Sequence, residues 1–152
     1  MTKTNVMRML DIADIFYRAK EYEYDENDLS GFSVAEKTDM PLEQVFKTLV
    51  TRGDKTGITV FVIPTTEELD LKKGAKVSGN KNIEMVHVKE LLGLTGYIRG
   101  GCSPIGMKKK YTTYIDETCE LFDEISISAG VRGCQVLINP SALVSFVSAK
   151  YF

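Results

Sequence analysis

A chain of 152 residues and 17.0 kDa, 43% of it apolar, can bury one sizeable core, which excludes disorder as the default and makes a single domain over residues 1–152 the simplest expectation. Its formal charge of −2 excludes a generally basic nucleic-acid coat, and no apolar run reaches the 18 residues of a membrane span. Cys102, Cys119 and Cys134 stand 17 and 15 residues apart with no CxxC, so neither a zinc cluster nor a disulfide framework is supported.

Val6, Met9, Leu10, Ala13, Phe16 and Tyr17 recur at helical spacing and predict a first helix over residues 4–19. MTKTNVMRML lacks the continuous apolar core of a signal peptide, and a cytoplasmic protein is expected. EYEYDENDLSG reads as a short extended piece and an acidic loop, with Gly31 where the chain turns. In DMPLEQVFK, Asp39 can cap a second helix, Pro41 suits its first turn, and Leu42, Val45 and Phe46 form its apolar stripe. KTLVTRGDKTGITVFVI then predicts strand, turn and strand, with 58–63 apolar enough to be a central strand.

LDLKKGAKVSG predicts a short helix ending near Gly79, IEMVHV a strand, and KELLGL another short helix. After the glycine-rich segment, YTTYID, EISIS and CQVLINP read as strands. Asn139 and Pro140 then open a final helix that turns Leu143, Phe146 and Val147 inward. Short strands among amphipathic helices favour an α+β domain over a repeated βαβ nucleotide fold.

The segment GYIRGGCSPIGMKKK, Gly96 to Lys110, carries the most chemistry. It is neither a GxxxxGK[ST] loop nor a dinucleotide fingerprint. Its glycines serve either a tight irregular connection or a crook whose backbone amides face a carbonyl or anionic oxygen. Residues 97–111 hold Arg99, Lys108, Lys109 and Lys110 and no acid, whereas residues 11–43 hold ten acids against three bases, so a local anionic partner fits the former. A solvated charge run is the plainer alternative.

Ser103 has no evident base, because the one histidine, His87, lies in MVHV and no GxSxG elbow exists. Adjacent acids such as Asp116 and Glu117 do not give the opposed geometry of an acid–base pair. Lys47, in VFKTLV, either snorkels to solvent or lays its stem along apolar neighbours and directs its ammonium into a cleft. Only convergence with residues 100–104 would decide for the cleft.

Several separated motifs together resemble the YbaK/ProX aminoacyl-tRNA deacylase family, related to the insertion (editing) domain of bacterial prolyl-tRNA synthetases. They are VFKTLV at 45–50, LDLKK at 69–73, GYIRGG at 96–101, SPIG at 103–106, KKK at 108–110 and ISAGVRG at 127–133. Their order extends the likeness over almost the whole chain, nearest to the branch that clears Cys-tRNA(Pro).

The resemblance implies a mixed, twisted and partly closed β-sheet surrounded by helices, in a freestanding domain that removes a small, wrongly attached amino acid from tRNA. It implies no organic cofactor and no metal. Mischarged tRNA is the implied partner, with prolyl-tRNA synthetase or another synthetase supplying tRNA choice, and neither DNA nor membrane is involved.

Carried onto this chain, the family's lysine is Lys47, which would anchor the terminal adenosine or its phosphate. The GxxxP loop is Gly100 to Pro104, where Gly100 and Gly101 would hold the ester carbonyl, with Cys102 and Ser103 beside it. Tyr22 and Phe32 would shape the amino-acid pocket or face the terminal adenine, Thr48 would support Lys47, and Arg132 and Gly133 would complete the wall. Arg99, Lys108, Lys109 and Lys110 are candidate phosphate contacts.

In cysteine-clearing relatives the reaction is substrate-assisted: the cysteinyl thiol attacks its own ester and leaves as a thiolactone. Cys102, Met107 and Val131 depart from that branch's pattern of a branched apolar residue, a glutamine and a basic residue. The competing readings are an alanine-clearing enzyme, a scaffold that binds an aminoacyl or adenosine end without turnover, and a hydrolase of another acylated metabolite.

Overall fold

The computed structural model describes residues 2–152. Helix α1, Asn5–Ile12, is capped by Thr4, whose Oγ1 accepts from Met7 N at 3.3 Å, and buries Val6, Met7 and Leu10. It is half the expected length. Asp14, at φ 57, turns the chain out of the helix, and Tyr17–Glu21 becomes strand β1 instead. Long-range pairing overrides the helical period here, because Tyr17 lies against Ile138 in a sheet that the local sequence cannot show.

The next helix, α2, is Gly31–Thr38, which begins at the glycine expected to turn the chain and runs through residues to which the sequence reading assigns no element. Ser30 caps it, accepting from Ser33 N at 3.2 Å. Gly31 is therefore not a turn. A Cβ there would lie 1.8 Å from Thr65 Oγ1, so the glycine lets the helix start press against the strand end. The expected helix after Asp39 is only a 3-10 turn, Leu42–Gln44, and Asp39, at φ 54, ends α2 rather than starting a helix.

Strand β2, Phe46–Gly53, and strand β3, Gly57–Pro64, form a hairpin paired from Phe46↔Pro64 to Gly53↔Gly57. Helix α3, Leu71–Ser78, is capped by Asp70 and ends at Gly79, strand β4 is Ile83–Met85, and helix α4 is Val88–Thr95. Strands β5, Thr112–Ile115, β6, Ile125–Ser128, and β7, Cys134–Ile138, precede helix α5, Pro140–Val147, and a short strand β8, Lys150–Tyr151.

Two sheets result. The five-stranded sheet has order β4-β2-β3-β5-β8 and mixes parallel with antiparallel pairing; the three-stranded sheet, β1-β7-β6, is antiparallel. One bridge, Val45 to Ser126, joins them and gives the partly closed architecture. Their shared core contains Val50, Val60 and Val62 from one sheet, Ile127 and Val136 from the other, and residues of α1 and α5. Burying those side chains stabilises each by roughly 1.5–3 kcal/mol.

Strand β3 is buried on both faces, as expected: Val60 and Val62 enter the shared core while Phe61 and Ile63 pack under α3. On that far side Tyr114 stacks on Phe61 at 5.5 Å, and Lys73 of the LDLKK stretch sits 5.3 Å over the Phe152 ring. Lys73 serves packing there. Among the described residues no helix is long and apolar enough to cross a membrane.

Candidate active site

Lys47 is the second residue of β2, within a strand rather than at a helix end. The strand pairs with β3 throughout but with β4 only from Thr51 to Gly53. Val50 O still accepts from Val86 N at 3.1 Å, and backbone groups alternate sides along an antiparallel strand, so those of Thr48 point to the same edge, now unpaired. That edge walls a cavity of about 370 Å³.

The loop after α4 faces it. Gly101 N donates to Ile98 O at 2.9 Å, closing a turn through Arg99 and Gly100. Gly100 has φ +83, a left-handed conformation that favours glycine, and a Cβ there would come within 3.1 Å of Leu29. The Gly101 amide is thus consumed inside the turn. The amides of Gly100 and Cys102 have no acceptor among the described residues, and both residues line the cavity.

Arg132 braces this loop from behind: its Nε donates to Arg99 O at 2.9 Å, and the Val131–Arg132 backbone lies against Gly101. Leu29, Ser30, Phe32 and Val34, at the start of α2, supply the third wall. Ser128 and Gln135, from the three-stranded sheet, line the cavity from below. Ser128 Oγ accepts from Gly130 N at 3.1 Å and keeps its own proton to donate, while Gln135 Oε1 accepts from Ser126 Oγ at 3.0 Å.

The cavity is electrostatically one-sided. No Asp or Glu lines it, and among the described residues Lys47 has neither an ion-pair nor a hydrogen-bond partner. Arg99 adds a second cation at the mouth. Burial pushes the Cys102 thiol up to about 12, so it stays protonated at neutral pH and offers no thiolate. Among the described residues no group of three or more His, Cys, Asp or Glu gathers to hold a metal ion.

Of the residues expected at the site, Lys47, Thr48, Phe32, Arg99, Gly100 and Cys102 line this one cavity. Gly101 holds the loop's turn. Tyr22 stands behind the floor, where burial pushes its phenol above the ordinary value against hydrogen bonds with Gly133 and Gln135. Ser103 is fully buried, and its Oγ accepts from Ile105 N at 3.3 Å, so it braces the loop and does not reach a substrate.

Pro104 and Met107, with Lys109 and Lys110, border a separate groove of about 290 Å³ that shares no lining residue with the cavity. Lys108 lies over Gly96, Gly133 packs under Tyr22 O, and Val131 is exposed at the turn behind the loop. Ser103, Pro104, Arg132, Gly133 and the three lysines, expected around the substrate, do not line this cavity: Ser103 and Arg132 brace its loop, and Pro104, Lys109 and Lys110 border the other groove. Ser128 and Gln135 were missed because they alternate with core residues inside ISIS and CQVLI; polar side chains within apolar strands are the signal that could have found them.

The family model for the aminoacyl-tRNA editing domain matches residues 32–146. An Enterococcus faecalis protein named as a candidate Cys-tRNA(Pro)/Cys-tRNA(Cys) deacylase, EbsC, is 50% identical over 149 residues, spanning 98% of this chain and 91% of its own. An uncharacterised Bacillus subtilis protein, YwhH, is 26% identical over 133 residues, covering 82% of this chain and 84% of that one. The crystal structure of a candidate trans-editing enzyme for prolyl tRNA synthetase superposes with a TM-score of 0.84 at 20% identity, over 100% of this chain and 97% of that one, a likeness of fold. With Lys47 and the glycine loop meeting at one cavity and a match over most of its length, the chain belongs to the aminoacyl-tRNA editing domain family.

Proposed function

We propose that the protein is a trans-acting deacylase that removes cysteine from Cys-tRNA(Pro) or Cys-tRNA(Cys) by substrate-assisted ester cleavage. The observation that carries the reading is the convergence of unpaired Lys47 and the open Gly100 loop on one cavity that contains no acid and no ionised thiol. EbsC's name supports the substrate at 50% identity over nearly the full chain.

The residues present fit chemistry supplied by the substrate. Lys47 and Arg99 draw the 5′ phosphate of the terminal adenosine, and the Gly100 and Cys102 amides donate to the ester carbonyl as negative charge develops there. The cysteinyl sulfur forms a bond to its own carbonyl carbon and the ester carbon–oxygen bond breaks. The departing ribose oxygen takes the electron pair and then the thiol's proton. The thiolactone leaves and is opened by water, so the protein supplies orientation and charge complementarity but no nucleophile.

Ser128 and Gln135 close the far side and limit the side chain accepted. We infer a cytoplasmic site of action, with tRNA choice supplied by a synthetase partner such as prolyl-tRNA synthetase. Deacylation of cysteinyl-, alanyl-, seryl- and prolyl-tRNA, with thiolactone followed alongside free amino acid, tests the proposal. Preference for cysteinyl-tRNA with thiolactone release is expected; preference for alanyl-tRNA, binding without turnover, or absence of thiolactone would overturn it.

A further inference from the structure

The loop over the cavity contains one peptide unit whose direction its own turn does not fix. Gly101 N donates to Ile98 O, Arg99 lies outside the left-handed region and Gly100 has φ +83, so Ile98–Gly101 is a type II turn. A type I turn closes through the same hydrogen bond and differs by a half-rotation of the central peptide, here Arg99–Gly100. Glycine at the third position tolerates both. Something outside the turn must choose.

Arg132 makes that choice. Its Nε donates to Arg99 O at 2.9 Å from the connection between β6 and β7, and Arg132 is not part of the cavity wall. The carbonyl and N–H of a trans peptide point in opposite directions, so drawing Arg99 O toward Arg132 turns the Gly100 N–H toward the cavity that Gly100 lines. We infer that Arg132 is a positioning residue for ester cleavage, holding the Arg99–Gly100 peptide so that its amide faces the ester carbonyl; the inference rests on the deacylase reading above. The opposite orientation would aim the Arg99 carbonyl there, negative end first, against the oxygen on which charge develops.

The anchor belongs to the three-stranded sheet rather than to the loop it holds. Gly133 O accepts from Tyr22 N at 2.9 Å, and Ala129 N donates to Cys134 O at 3.1 Å, which ties both ends of the β6–β7 connection. A Cβ on Gly101 would stand 3.2 Å from Val131 C and 3.3 Å from Arg132 N, so the two backbones touch with no side chain between them. Among the described residues the Arg132 guanidinium has no carboxylate partner, and its hydrogen bond is spent on this carbonyl. A permanently charged donor makes that bond a strong one.

Arg132→Ala removes the donor and leaves the backbone packed against Gly101. On cysteinyl-tRNA it should lower kcat about 10- to 100-fold with KM within about threefold, because an amide aimed at developing charge acts in the transition state while Lys47 and Arg99 still hold the phosphate. The same loss is expected on cysteinyl adenosine. Since the contact is a single bond from Nε, Arg132→Lys can replace the donor and should return turnover to within about fivefold of the parent. A rise in KM confined to cysteinyl-tRNA, with cysteinyl adenosine cleaved at the parent rate, would make Arg132 a tRNA contact and overturn the proposal.

The peptide can also be observed directly by nuclear magnetic resonance. In the parent, the Arg99 Hα should give a strong Overhauser contact to the Gly100 amide proton, as a type II turn requires. In Arg132→Ala that contact should weaken and one between the Arg99 and Gly100 amide protons should grow. Unchanged contacts, or unchanged kcat in the folded variant, would overturn the proposal. The two readings separate: a parent that cleaves no ester defeats the deacylase, and the Overhauser contacts still decide whether Arg132 sets the peptide.

Discussion

The glycine-rich segment divides into two halves of opposite character. From Ser103 to Tyr111 no residue lines the cavity, and several polar groups brace the loop: Ser103 Oγ accepts from Ile105 N, Tyr97 donates its hydroxyl to Ile105 O, Tyr111 does so to Leu94 O at 2.7 Å, and Lys108 N reaches Thr95 O at 3.1 Å. From Arg99 to Cys102 the amides of Arg99, Gly100 and Cys102 have no acceptor among the described residues, all three residues line the cavity, and the facing Lys47 has no partner there. One half is a brace and the other an open lip. Buried polar groups are costly when unpaired, so a stretch that leaves several unspent beside a cavity is where a ligand completes the hydrogen bonding.

Substitutions can break that contrast. Lys47→Ala should have the largest effect, lowering kcat/KM for cysteinyl-tRNA roughly 10- to 150-fold, since a hydrogen bond from a charged group is worth about 1.5–3 kcal/mol. Its melting temperature should stay close to that of the parent, because no internal partner is lost. Equal turnover would remove Lys47 from the site.

Gly100→Ala comes next. Its positive φ and the nearby Leu29 should cost about 1–2 kcal/mol of stability in a denaturant titration. Turnover should fall about tenfold as the loop shifts by a few tenths of an ångström. A variant that melts lower but turns over normally would show that the lip holds no substrate.

Ser103→Ala sharpens the contrast from the other side. Loss of its acceptor leaves Ile105 N–H buried and unpaired, at a cost of about 1–3 kcal/mol, while turnover of the folded enzyme should stay within about threefold. Smaller still, Lys109→Ala with Lys110→Ala should leave cleavage of cysteinyl adenosine unchanged, because their groove shares nothing with the cavity. A tenfold loss on that minimal substrate would merge the two surfaces again.

The pH profile makes the same distinction between enzyme and substrate thiols. Cys102, pushed up to about 12 by burial, remains neutral across the working range and can add no inflection there. The rate should climb instead as the substrate thiol ionises, near about 8.5 for an unperturbed thiol. Cys102→Ala should keep that climb. Its disappearance would identify the enzyme's sulfur as the reacting one.

Much of the scaffold could be read from periodicity and caps. Strand β3, helix α3 between Asp70 and Gly79, and helix α5 behind Asn139 carry their start and stop signals locally. The failures share one cause. Phe16–Tyr17 and Val45–Phe46 have helical spacing, but distant strands claim them through Tyr17↔Ile138 and Phe46↔Pro64.

The site divides in the same way. Lys47, Thr48 and Gly100 were legible as members of motifs, whereas the partition of those motifs into lining and bracing residues depends on side-chain direction. Ser103 and Cys102 are neighbours in sequence, yet one is sealed under the loop and the other faces the cavity. Ser128 and Gln135 reach it only because the second sheet folds beneath β2.

The single rung from Val45 to Ser126 that ties the two sheets has a consequence for selectivity. Val45, Phe46 and Thr65 on one side of this seam and Ser128 and Gln135 on the other bound the same chamber, so its width is governed by packing at a joint that takes no part in bond breaking. Exchanging a bulky residue for a smaller one along that joint would retune which amino acids enter and leave the reacting geometry untouched. A fold joined in this manner can change what it admits without changing how it reacts.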